Sequence, residues 1–168
     1  ASDKATYQFA VGDGGVVTLY IRDDTIESVN ISSKDAGGHA DLDTEGFLTF
    51  GPGVLDHFVI VHDCAEPVNS WERFSLTAKD LFNNTIPYQG GANLIGILGT
   101  SATINWTNIF ASGSFANANP SQGQATYTFV SADSGIVTLA VRDSTAESIN
   151  VRSMVGSITD NDSDCTLT

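Results

Sequence analysis

Apolar and polar side chains alternate over several short stretches of this chain. Tyr7, Phe9 and Val11 alternate with polar positions, then Val17, Leu19 and Ile21, then Val29 and Ile31. The same rhythm returns at Tyr127 and Phe129, at Val137, Leu139 and Val141, and at Ile149 and Val151. A period of two puts successive side chains on opposite faces, so each stretch predicts a strand with one buried and one wet face. Turn-forming clusters separate the runs: Gly12-Asp13-Gly14-Gly15, Asp23-Asp24, Ala132-Asp133-Ser134-Gly135 and Asp143-Ser144. Further strands are expected around 54–62, 74–79, 93–98 and 103–110, with a short one at 166–168. No segment shows a 3.6-residue apolar period, so the fold class is all-β and antiparallel.

The runs repeat as a block. The segment beginning ATYQFAVGDGG at Ala5 aligns with the segment beginning ATYTFVSADSG at Ala125, an offset of 120 (125 − 5). Over 31 aligned positions 16 are identical, including Tyr7, Phe9, Asp13, Gly15, Leu19, Arg22 and Asp23 with their counterparts, which excludes chance. After a one-residue gap Asp41, Asp43 and Glu45 fall on Asp160, Asp162 and Asp164. A period near 120 residues matches one β-sandwich and is far longer than a solenoid unit. Residues 54–168 therefore read as one complete immunoglobulin-like antiparallel β-sandwich repeat of seven or eight strands. Residues 1–53 read as the C-terminal part of another repeat, incomplete and needing strands from elsewhere. Gly51-Pro52-Gly53 marks the junction, a linker short enough to relate the two units stiffly.

Composition narrows the function. The formal net charge is −13, with seven basic residues spread thinly, so there is no basic stripe to hold nucleic acid or anionic lipid. No apolar run approaches the roughly 20 residues that span a bilayer. The start at Ala1-Ser2-Asp3 reads as a processed or excised N-terminus. Cys64 and Cys165 stand about a hundred residues apart without zinc spacing. They are candidates for a disulfide, within the chain or between neighbours, or for buried thiols.

Val54-Leu55-Asp56-His57-Phe58, then Phe74-Ser75-Leu76-Thr77-Ala78-Lys79-Asp80 with Asn83-Asn84-Thr85, resemble the bacterial immunoglobulin-like repeats of large surface proteins, including invasin-type adhesins. In that family an F-x-x-x-A-x-D-x-x-x-N stretch is a strand running into a tight turn. The resemblance covers roughly residues 54–168 and implies a secreted or cell-surface β-sandwich without catalysis. The two cysteines depart from the pattern and raise covalent cross-linking.

Carboxylates at every second residue of a tight loop can converge on a hard cation, and calcium takes about six to eight oxygens. Asp41, Asp43 and Glu45, and Asp160, Asp162 and Asp164, are thus candidate calcium ligands, with Asp56 or Asp63 able to contribute. A solvated acidic turn is the competing reading. Asp13, Asp133, Asp23 and Asp143 recur at turns, where their side chains satisfy local backbone. Arg22-Asp23 and Arg142-Asp143 predict surface ion pairs. His57 and His62 fall on opposite faces of one strand and cannot pair on a metal. Trp71 and Trp106 are expected in core or edge packing. No nucleophile elbow, catalytic triad or phosphate loop is present, so an enzyme is not expected.

Two structural functions and one binding function follow. The leading expectation is an extracellular filament or fibre subunit that polymerises with itself by strand complementation, because three amphipathic strands with open edges are not stable alone. The second is a calcium-stiffened adhesin stalk of neighbouring repeats. The third is a carbohydrate-binding module using Trp71, Trp106, Tyr88 or Tyr20 as a stacking platform.

Overall fold

The computed structural model describes residues 4–42, 46–97, 103–119, 122–161 and 166. Eleven strands are assigned: β1 (Glu27–Asn30), β2 (Phe47–Phe50), β3 (His57–Val61), β4 (Glu72–Lys79), β5 (Gly90–Ile97), β6 (Ile104–Phe110), β7 (Ser114–Asn119), β8 (Gln124–Phe129), β9 (Ile136–Asp143), β10 (Asn150–Val155) and β11 (Ile158–Thr159). The chain is all-β and its paired strands are antiparallel.

Strands β3 to β11 form two sheets, ordered β3-β4-β9-β6 and β11-β10-β5-β8-β7. Alternation dictates what lies between them. Phe74, Leu76 and Ala78 of β4, Ile104 and Trp106 of β6, and Val137, Leu139 and Val141 of β9 point inward from the first sheet. Ala125, Tyr127 and Phe129 of β8 and Val151 of β10 meet them from the second. Phe58 and Phe129 stack with centroids 6.3 Å apart, and Tyr127 meets Phe129 edge-on at 5.1 Å. The first and last strands close the sandwich through an isolated parallel bridge between Phe58 and Asp160, with Asn161 N donating to Phe58 O at 3.1 Å.

Three strands were not foreseen: β2, in the run before the Gly51-Pro52-Gly53 junction, β7 and β11. β7 carries Ser-Phe-Ala-Asn-Ala-Asn, with none of the β-branched residues that mark a strand, and is held by its ladder to β8. β11 has only two residues and rests on β10. The expected strand at 166–168 falls largely outside the described residues.

The first copy of the repeated block folds differently from its counterpart. Of its three expected strands, the runs at 7–11 and 17–21 are not strands. Alternation prepares a chain for a sheet, but a strand needs a neighbour to complete its hydrogen-bond ladder. Only the third run is paired, where β1 meets β2 with Glu27 opposite Phe50 and Asn30 opposite Phe47. The turn between the unpaired runs nevertheless keeps the form seen in the second copy. Val11–Asp13 is a single 3₁₀ turn followed by Gly14 in the left-handed region, as Ser131–Asp133 is followed by Ser134.

Candidate assembly surface

The repeat identity lets each position of the first copy be set against its equivalent. Tyr7 is 44% exposed where Tyr127 is 0%, Phe9 59% where Phe129 is 2%, Leu19 65% where Leu139 is 0%, and Ile21 56% where Val141 is 0%. Val17 and Val29 are half-buried, and Ile31 is exposed where Val151 is buried. The first copy thus turns to solvent the apolar row that the second copy uses as its core.

The polar groups around that row show what is missing. In the second copy Tyr127 donates its hydroxyl to Asp133 Oδ2 at 2.7 Å. Asp133 also accepts the amides of Val130 at 2.9 Å and Ser112 at 2.7 Å. The Tyr127 hydroxyl accepts the amide of Gly113 at 2.6 Å. Burial and the Asp133 carboxylate push the Tyr127 phenol up to about 12. Burial works against ionisation of Asp133, but the donated hydrogen bonds outweigh it and its pKa is lowered. Asp143 Oδ1 accepts the Thr103 hydroxyl at 2.6 Å and the Thr145 amide at 2.9 Å.

The first copy retains the local half of this network. Tyr7 donates to Asp13 Oδ2 at 2.9 Å, Ala10 N donates to the same oxygen at 2.7 Å, and Thr25 N donates to Asp23 Oδ1 at 2.9 Å. Among the described residues, the contacts that β6, β7 and their connection give Tyr127, Asp133 and Asp143 have no equivalent at Tyr7, Asp13 and Asp23. The turn glycine tells the same story. Gly135 has φ +80°, and a Cβ there would lie 1.8 Å from the Ile86 carbonyl oxygen. Gly15 has the same φ of +80° with open space around it.

The two copies meet at a tied junction. Asp80 gathers the amides of Gly53 at 3.0 Å, Phe82 at 3.0 Å and Asn84 at 2.9 Å, and the Asn84 side-chain nitrogen at 3.1 Å. The Gly53 hydrogen bond is the largest influence holding this carboxyl down at about 2. Asn84 Nδ2 also donates to the Asp24 carbonyl at 3.0 Å, reaching from the sandwich to the first copy. The Phe74-to-Asn84 stretch is therefore a strand ending in a turn stapled by Asp80.

The acidic candidates divide. Asp41 Oδ2 accepts the Ser33 amide, and Asp160 Oδ1 accepts the Ser153 amide at 3.2 Å and lies 3.5 Å from Arg152 Nε. Both are turn acceptors in equivalent places, which confirms the one-residue gap in the repeat alignment. Asp43, Glu45, Asp162 and Asp164 lie outside the described residues. Among the described residues no three His, Cys, Asp or Glu side chains are grouped to hold a metal. Asp56 instead meets His57 Nδ1 at 2.9 Å, and Asp63 accepts the Ala65 amide at 3.2 Å.

Other expectations resolve individually. Cys64 is disulfide-bonded, while Cys165 lies outside the described residues. Arg22 pairs with Asp24 at 3.4 Å and not with Asp23, whose carboxylate is committed to its own turn. Arg142 lies over the Trp71 ring, 4.7 Å from its centroid. Trp106 is buried and donates to the Gly123 carbonyl at 2.8 Å, and Tyr88 packs edge-on against Phe58 and Phe129. Trp106 is thus a core residue, and Tyr88 is half-buried against the core. Among the described residues no helix is long and apolar enough to cross a membrane. No protein-family model matches the chain, and comparison with curated proteins finds no relative.

Proposed function

We propose that this protein is a non-enzymatic structural module of an extracellular or cell-surface tandem array, a stalk or fibre unit. In this reading residues 1–53 are half of a sandwich and residues 54–168 a whole one. The half is closed by a segment outside residues 1–53 that carries the pattern of residues 54–119. The observation that carries the reading is the exposure of Tyr7, Phe9, Leu19 and Ile21 where their equivalents form a core. Cys64 in a disulfide supports an oxidising compartment. The Asp80 staple supports a stiff junction between successive units.

A second copy of this chain is a poorer source of the closing segment than a neighbouring repeat. Its own residues 54–119 are already committed to a finished core, which would have to open first. Self-polymerisation by strand exchange therefore carries an unfolding barrier that tandem arrangement avoids.

The reading is tested by lengthening the chain with a second copy of residues 54–119 placed ahead of Ala5. Calorimetry should show a second cooperative unit, with an unfolding enthalpy close to twice that of the unaltered chain, since enthalpy scales with ordered residues. An enthalpy unchanged by the added segment would refute completion of the half repeat.

A further inference from the structure

Resting on the completion reading above, we propose that the first copy is a receptor for one particular kind of chain corner. Its ligand is a polypeptide that passes through Ser-Gly between two strands and carries a threonine nine residues before the serine (112 − 103). Two consecutive backbone amides of that corner dock on Asp13 and Tyr7, and the threonine hydroxyl docks on Asp23.

The finished sandwich displays the bound state. There β6 pairs with β9 in one sheet and β7 pairs with β8 in the other, so residues 103–119 straddle the mouth between the sheets. Ser112 and Gly113 form the crossing, and their amides reach Asp133 and the Tyr127 hydroxyl. All three acceptors of this segment, Tyr127, Asp133 and Asp143, are identical in the first copy as Tyr7, Asp13 and Asp23. Two of them already hold the bound geometry, since Tyr7 and Asp13 are hydrogen-bonded to each other as Tyr127 and Asp133 are. A receptor ordered in advance loses less freedom on binding.

The same geometry sets the specificity. A Cβ on Gly113 would lie 1.9 Å from the Thr128 carbonyl oxygen and 2.7 Å from the Tyr127 hydroxyl. Any side chain at that position breaks the approach that lets its amide reach the tyrosine. The corner glycine is the residue by which the receptor distinguishes its segment from other strands. Trp106, buried from the same segment, would stand beside Ile21 as it stands beside Val141 in the β6–β9 ladder.

The probe is a synthetic peptide of residues 103–119, titrated into the full chain with amide exchange read along the protein. The expected result is saturable binding that slows exchange across residues 5–23. Replacing Tyr7→Phe together with Asp13→Asn should weaken it roughly tenfold or more, the scale of one charge-assisted hydrogen bond. A peptide bearing Gly113→Ala should weaken it comparably. Tyr7 is exposed and Asp13 half-buried, and an unchanged melting temperature verifies the fold. Binding that ignores both changes, protection confined to residues 125–143 by exchange into the finished sandwich, or no binding at all would each overturn the corner proposal. The lengthened chain tests completion separately: a doubled enthalpy with an indifferent peptide would leave completion standing and remove only this proposal.

Discussion

Tyr127 gives its hydroxyl proton to Asp133 while accepting the amide of Gly113, so one phenol joins β8, the turn after it and the β6–β7 corner. Tyr7 makes the first of these bonds and has no corner to make the second. The contrast between two nearly identical sequences in one chain separates what local sequence determines from what a neighbour must supply.

Tyr127→Phe should therefore be costly and Tyr7→Phe nearly silent. Removing the Tyr127 hydroxyl leaves the Gly113 amide without its acceptor, and a buried orphan of this kind costs about 1–3 kcal/mol. At Tyr7 the change should fall within about 0.5 kcal/mol, as for exposed positions generally. Urea denaturation of the two variants measures both.

A core truncation makes the same comparison with apolar surface. Leu139→Ala removes a fully buried side chain and should destabilise by about 2–5 kcal/mol. Leu19→Ala, at the equivalent exposed position, should leave the main unfolding midpoint in place. In the chain lengthened by residues 54–119 the Leu19 substitution should become costly in its turn.

Acid and alkali should act on two different groups, Asp80 and Tyr127. The Asp80 carboxyl, held at about 2 against an ordinary 3.8, contributes stability that is complete above 3.8 and is lost as pH falls toward 2. Asp80→Asn should flatten the acid limb of the stability profile. The Tyr127 phenol, raised from 10.0 to about 12, contributes stability that is complete below 10 and is lost as pH rises toward 12. Tyr127→Phe should remove that alkaline limb, and melting curves across pH resolve the two.

Reduction should weaken the module. A disulfide at Cys64 that closes a loop within the chain is worth about 2–5 kcal/mol. Reductant should lower the melting temperature of the unaltered protein and leave Cys64→Ser unmoved. Non-reducing digestion followed by mass spectrometry should recover the Cys64 peptide joined to the Cys165 peptide.

Much of the sandwich was legible because its inward positions are large and evenly spaced. Phe74, Leu76 and Ala78 alternate without interruption, as do Val137, Leu139 and Val141, and each run became a strand. β7 was not legible, because a short strand of Ala, Asn and Ser is made by its partner and not by its own side chains. The recurrence of Tyr and Asp six residues apart was plain, and turn chemistry accounted for half of it correctly. The other half depends on the Ser112 and Gly113 amides, and a backbone N–H leaves no mark in a sequence beyond the glycine that lets it approach. Asp41 and Asp160 recur, and each secures a serine amide across a turn, a role that carboxylate spacing alone does not display.

The central claim is that one stretch of sequence is folded into sheets at 125–141 and left open at 5–21 for want of a segment to pair with. Residue-resolved hydrogen exchange on the unaltered chain measures this directly. The account predicts exchange near the unprotected rate for the amides of Phe9, Leu19 and Ile21, and strong protection for those of Phe129, Leu139 and Val141. Comparable protection at both sets of positions in the isolated monomer would contradict it.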